Sequence, residues 1–124
     1  MLAHAARAWP RECCGVMLGQ PGSVTSALPL ENAAAGSDAY AIGPADLLAA
    51  SESARRSGLC LIGIYHSHPS AEPLFSAKDL RNSCPWLAFL ILSVRDGVFE
   101  SAACWLADPT QTRARREALE VTSG

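Results

Sequence analysis

Residues 59–66 read LCLIGIYH, an almost continuous apolar run that follows a helical segment. A strand covered on both faces looks like this. Working back from it, residues 44–57 read as a helix. Proline opens its first turn, Leu47, Leu48 and Ala54 recur at helical spacing, and Gly58 ends it. Working forward, WLAFLILSV (residues 86–94) is a second buried strand, Asp96-Gly97 a hairpin turn, and VFESAACWL (residues 98–106) the returning strand.

Toward the N-terminus, residues 3–9 predict a short helix stopped before Pro10, and CCGVMLG (residues 13–19) a strand turned by QPGS. Residues 24–34 predict another strand, with Pro29 placing it at a sheet edge or bulge. Residues 38–43 read as a short extended piece. Residues 76–83 predict a short helix with Ser76 as N-cap and Asp79 at N3, and residues 109–121 a terminal helix. The expected fold class is therefore α/β (α+β): a single mixed sheet flanked by helices on both faces, in one domain spanning residues 1–124.

The composition suits a packed globular domain, with 49% apolar residues in 124. The formal net charge of −2 gives no reason to expect nucleic acid as a partner. Arg113, Arg115 and Arg116 form the one basic cluster and read as a solvated face of the terminal helix. No run approaches the roughly 18 apolar residues that span a bilayer, and residues 1–9 lack a signal peptide's pattern, so a cytoplasmic protein without a membrane partner is expected. Five cysteines, with no C-x-x-C pair, read as buried small hydrophobes rather than a disulfide framework.

Immediately after the buried strand comes HSHPSAEPLFSAKD (residues 66–79), which holds two of the three histidines. His66 and His68 alternate by two, so on extended backbone both imidazoles point to one side and reach one ion. Ser76 and Asp79 share a helix face at i and i+3, so the first helical turn can aim a hydroxyl and a carboxylate back at the strand end. Two imidazoles and one carboxylate are the donor set of zinc sites that keep a position open for water. A water activated there needs a base, and the candidate is Glu12, directly before the first strand. Taken singly, each element has a plainer reading. H-x-H suits ordinary polar residues at a strand end, Asp79 a helix-dipole carboxylate, Ser76 a cap and Glu12 a surface acid.

Together these residues resemble the JAMM (JAB/MPN-plus) metallopeptidase family, whose pattern is an upstream glutamate and then H-[ST]-H-x7-S-x2-D. Glu12, His66, Ser67, His68, Ser76 and Asp79 stand in that order, with both spacings intact. HAARAWPRECCGVMLG, ENAA, YAIGPADLL and GIYHSHP resemble further segments of the compact bacterial branch, so the likeness covers most of the chain. The resemblance implies an MPN/JAB domain of cytidine-deaminase-like architecture. It implies zinc held by His66, His68 and Asp79, Glu12 as base and proton donor, and Ser76 hydrogen-bonding the oxyanion. It places Ser67 behind the ligands, orienting or packing under the histidines, and Cys14 in buried packing. The family usually has a strand before its first helix, whereas this chain begins almost at that helix; its compact intervals leave no room for the ubiquitin-gripping insertions of eukaryotic members.

The activity implied is hydrolysis of a peptide or isopeptide bond at the C-terminal diglycine of a small ubiquitin-like, β-grasp sulfur-carrier protein. The extended tail is expected to pair with a sheet edge near VTSALPLENAA (residues 24–34). A homodimer is a further expectation. Two other readings stand beside it: a noncatalytic MPN scaffold module, and a RadC-like JAB protein, whose H-N-H-P-S-G locally resembles HSHPSAEP. A zinc nucleoside deaminase would need H-x-E and P-C-x-x-C, and neither occurs.

Overall fold

The computed structural model of the chain describes residues 12–20, 23–30, 32, 42–69, 87–96, 98–108 and 113–117. Among them run β1 (Cys14–Gln20), β2 (Ser23–Leu30), α1 (Pro44–Arg56), β3 (Cys60–Pro69), β4 (Ala88–Arg95), β5 (Val98–Ala107) and β6 (Ala114–Glu117). The strands form one sheet in the order β2-β1-β3-β4-β5-β6. β3 and β4 are parallel and the other pairs antiparallel, which makes the sheet mixed as expected. The expected helices at residues 3–9 and 76–83 lie outside the described residues.

Local chemistry explains the helix. Proline stands in the first turn of α1, Asp46 complements its N-terminal dipole, and Arg55 and Arg56 complement the other end. Gly58, at φ +73°, supplies the left-handed turn. The Gly58 amide donates to the Arg55 carbonyl and the Leu59 amide to the Ala54 carbonyl, a Schellman closure that aims the chain into β3. The packed stripe is Leu47, Ala50 and Ala54. Leu48, expected on that stripe, is 63% exposed because it lies a third of a turn away from Leu47.

Both faces of the sheet bury apolar side chains, as the 59–66 run predicts. Val16, Leu18, Ile64, Leu87 and Phe89 meet Ala50 and Ala54 of α1 on one face. Cys13, Met17, Tyr65, Leu90, Leu92 and Val94 cluster on the other. Complete burial of side chains such as Phe89 and Ile91 stabilises the fold by about 1.5–3 kcal/mol each.

A bulge sets which face the histidines occupy. The β1–β3 register shifts so that Met17 opposes Gly63 while Leu18 opposes Leu61, leaving Ile62 as the extra residue. Leu59 and Leu61 therefore pack on the α1 face, and so does Ile64, three residues beyond Leu61. Strict alternation back from His66 would have put Ile62 and Cys60 there instead. A Cβ on Gly63 would lie 2.5 Å from both the Ala88 carbonyl oxygen and Met17 Cε, so the bulge leaves space for no side chain. Gly15 clears room in the same way for the ring of Tyr65.

Several expectations are corrected. Residues 114–117 are a strand, not part of a terminal helix: β6 pairs with β5 from Cys104↔Glu117 to Ala107↔Ala114. Ala, Arg and Glu favour helix locally, but the open edge of β5 offers a hydrogen-bond ladder that outweighs propensity. The Asp108 amide donates to the Arg113 carbonyl, and the Arg113 amide to the Asp108 carboxylate, closing the connection. Arg113, Arg115 and Arg116 are exposed as expected, on that edge rather than on a helix. Cys13 and Cys14 are buried, but Cys60 is exposed at the start of β3. Pro29 does lie on an edge strand, β2, which ends at Leu30 rather than residue 34.

Candidate metal centre

Strand pleating and pairing build the site. Cys14 opposes His66 across β1 and β3, so Glu12, two residues upstream, is carried to the end of β3 that bears the histidines. His66 is wholly buried, His68 half-buried, and Glu12 only 7% exposed. The two imidazole Nε2 atoms stand 3.1 Å apart, with the rings tilted 55° to one another. One potential ligand atom from each of Glu12, His66 and His68 lies within 4.8 Å of the others.

This spacing fits a shared cation. Two imidazole nitrogens each about 2.0–2.1 Å from one tetrahedral zinc stand about 3.3 Å apart, close to the observed separation. The donor set, two neutral nitrogens beside a carboxylate, suits the same ion class. His68 is the least buried of the three. Asp79 and Ser76, expected as third ligand and oxyanion donor, lie outside the described residues.

The approach of Cys14 to His66 raises a second chemistry, a cysteine–histidine nucleophile. Burial argues against it. It pushes the Cys14 thiol up to about 12, with the charges of Cys13 and Glu12 adding to the effect. Burial also raises the Cys13 thiol, only partly offset by a hydrogen bond from Ser67, and the Tyr65 phenol. These groups stay neutral near pH 7 and act as packing, as expected for Cys14.

Two residues around Glu12 have roles that the sequence reading did not give them. Ser67, expected to orient the histidines or pack under them, accepts the Cys13 amide on its hydroxyl at 2.8 Å, while its own amide donates to the Cys13 carbonyl. Asn32 donates its side-chain amide to the Glu12 carbonyl at 2.7 Å. The only sequence signal for Asn32 was its place in ENAA. Ser93, buried and in register beside His68 on β4, was also missed; a serine inside an otherwise apolar strand was its signal.

Among the described residues the mixed sheet has one parallel pair, β3 and β4, and its fold is that of a JAB1/MPN domain protein. The chain superposes on one from Archaeoglobus fulgidus with a TM-score of 0.63 at 20% identity, over 98% of this chain and 90% of that one. A protein from Desulfitobacterium hafniense matches with a TM-score of 0.83 at 28% identity, over 100% of this chain and 87% of that one. The chain belongs to the prokaryotic homologs of the JAB domain, whose family model matches residues 1–116.

Curated relatives carry peptidase names. A desampylase of Haloferax volcanii is 39% identical over 88 residues, covering 68% of this chain and 63% of that protein. A probable TtuB-protein conjugate cleaving protease of Thermus thermophilus is 35% identical over 97 residues, covering 77% and 64%. The CysO-cysteine peptidase of Mycobacterium tuberculosis is 30% identical over 99 residues, covering 77% and 68%. The alignments thus span a little under two thirds of the first two relatives' length.

Proposed function

We propose that the chain is a zinc-dependent peptidase of the JAMM type. Its substrate is the peptide or isopeptide bond at the C-terminal diglycine of a small ubiquitin-like, β-grasp sulfur-carrier protein. The observation that carries this reading is the 3.1 Å approach of His66 Nε2 and His68 Nε2, with the Glu12 carboxylate beside them. The relatives' names, which specify conjugates of TtuB and of CysO, support the substrate class.

His66 and His68 hold the ion, with Asp79 as the third ligand. Zinc, when bound, supplies Lewis-acid polarisation of the scissile carbonyl and lowers the pKa of water. Glu12 takes the proton from the attacking water and delivers it to the departing amine nitrogen, one carboxylate serving as base and then acid. Ser76 donates a hydrogen bond to the oxygen of the tetrahedral centre. The extended diglycine tail pairs with the outer edge of β2.

The test is mass spectrometry of zinc-reconstituted protein incubated with β-grasp carriers that end in Gly-Gly-Cys or in a Gly-Gly–lysine isopeptide. Cleavage directly after the second glycine, abolished by chelation and by Glu12→Gln, is expected. A zinc-loaded chain that leaves every such carrier intact would refute the substrate class. Full activity in Glu12→Gln would refute the role of Glu12.

A further inference from the structure

The Glu12–Cys13 peptide unit is held at both ends by side chains from elsewhere in the fold. Its carbonyl, on Glu12, accepts the Asn32 side-chain amide at 2.7 Å. Its N–H, on Cys13, donates to the Ser67 hydroxyl at 2.8 Å. We propose that Ser67 and Asn32 are positioning residues that fix this peptide, and thereby aim the Glu12 carboxylate at the His66–His68 nitrogens before substrate arrives. The proposal rests on the reading of Glu12 as the base.

The geometry supplies the reason. Cys13 and Ser67 sit one rung beyond the last paired residues of β1 and β3, Cys14 and His66. A hydrogen-bonded antiparallel rung, the kind that the Ser67 amide begins here, exchanges two backbone bonds. Here the Ser67 amide donates to the Cys13 carbonyl, but the return bond ends on the Ser67 hydroxyl. A side chain has taken a place that the backbone normally fills, at the point where the chain leaves the ladder toward Glu12.

A peptide unit is planar, so bonds at its two ends hold its plane and, with it, the Glu12 Cα from which the side chain departs. Ser67 is wholly buried and lies between the two histidines on β3, so the anchor of the carboxylate and both imidazoles share one strand. Their relative placement is a property of that strand rather than of a loop. Rate depends steeply on such placement: a 1 Å error costs on the order of 100-fold.

Satisfying a buried amide is a general need, so the test must separate positioning from plain folding. It uses full-length wild type, Ser67→Ala, Ser67→Thr and Asn32→Ala, the last at a half-buried site that tolerates truncation better. Two readouts need no turnover: hydrogen exchange of the Cys13 amide by NMR, and the change in the Glu12 Cδ resonance when zinc is added. The third is kcat and KM on a β-grasp carrier ending in Gly-Gly-Cys.

In Ser67→Ala, the Cys13 amide is expected to exchange at least tenfold faster and the zinc-induced shift at Glu12 Cδ to shrink. Zinc content is expected to stay as in wild type, and kcat to fall about 10- to 100-fold with KM little changed. Ser67→Thr keeps the hydroxyl and is expected to restore all three readouts, while Asn32→Ala is expected to lower kcat in the same way. Unchanged exchange and an unchanged Glu12 resonance in Ser67→Ala would overturn the clamp, as would loss of zinc in step with kcat, or failure of Ser67→Thr to restore. If wild type cleaves no carrier, the proposed function falls, and the exchange and Glu12 Cδ readouts still decide whether the clamp holds the carboxylate at the histidines.

Discussion

Replacing Gly63 by alanine puts one methyl group into the bulge that brings the histidines onto the α1 face. The new Cβ would stand 2.5 Å from Met17 Cε and from the Ala88 carbonyl oxygen. Ordinary contact begins near 3.4 Å, so about 0.9 Å has to be found. Met17 can swing its terminal methyl away. The Ala88 oxygen cannot, because it belongs to the backbone of β4 in the parallel pair with β3. Overpacking of this kind costs about 1–3 kcal/mol. The lower entropy of an unfolded alanine chain returns about 0.4–1 kcal/mol. The sum is a net loss of about 1–2 kcal/mol, or a fall in Tm of about 4–8 °C for a chain of this size. Urea denaturation of the zinc-free protein reads the loss directly, and zinc titration reads whether the His66–His68 spacing survives. A Gly63→Ala protein as stable as wild type, with the same zinc affinity, would refute the claim that the bulge is packed too tightly to accept a side chain.

Further outcomes follow from the same structure. Glu12→Gln should bind zinc normally and lose about 10²–10⁴-fold in kcat, measured on a Gly-Gly-Cys carrier. His68→Ala and Asp79→Ala should each lose zinc, by metal mass spectrometry after reconstitution; retained metal in either would count against that ligand. Chelation should leave circular dichroism of the sheet intact and lower both Tm and the unfolding free energy, the latter by about 4 kcal/mol where free zinc stood at a thousand times Kd. Iodoacetamide at pH 8 should modify exposed Cys60 about a hundredfold or more faster than Cys14, since a thiol near 12 is only about one part in 10⁴ thiolate there. Equal labelling rates would show that the Cys14 environment is open.

The parts of the fold that announce themselves locally could be read from the chain. The 59–66 run predicts a strand buried on both faces, and β3 is that strand. A proline before a helical pattern and a glycine after it bound α1. Asp96-Gly97 predicts a two-residue hairpin, and Asp96 adopts the required positive φ of 52° between the paired residues Arg95 and Val98. The H-x-H alternation puts two imidazole nitrogens within reach of one ion. What could not be read depends on partners far along the chain. β6 forms because β5 offers an open edge, and no local preference of ARRE encodes that. The bulge at Ile62 comes from fitting β3 against β1, and it swaps the faces that simple alternation assigns to residues 59–62. The Ser67–Cys13 bond joins residues 54 apart, so the partner of this serine could not be read from its neighbours.

That bond also bears on where the site gets its precision. His66 and His68 sit on one strand, His66 paired to β1 and both histidines paired to β4, so their separation is set by the pleat and the β4 ladder. Glu12 precedes Cys14, the first paired residue of β1, so it lies beyond the described strand pairings. Rate depends steeply on how a base there is placed. The Ser67 and Asn32 bonds tie the Glu12–Cys13 peptide to the histidine strand and to the residue just past β2. A serine between two histidines thus has a use that zinc ligation alone does not supply: it makes the strand that presents the donors also the strand that aims the carboxylate.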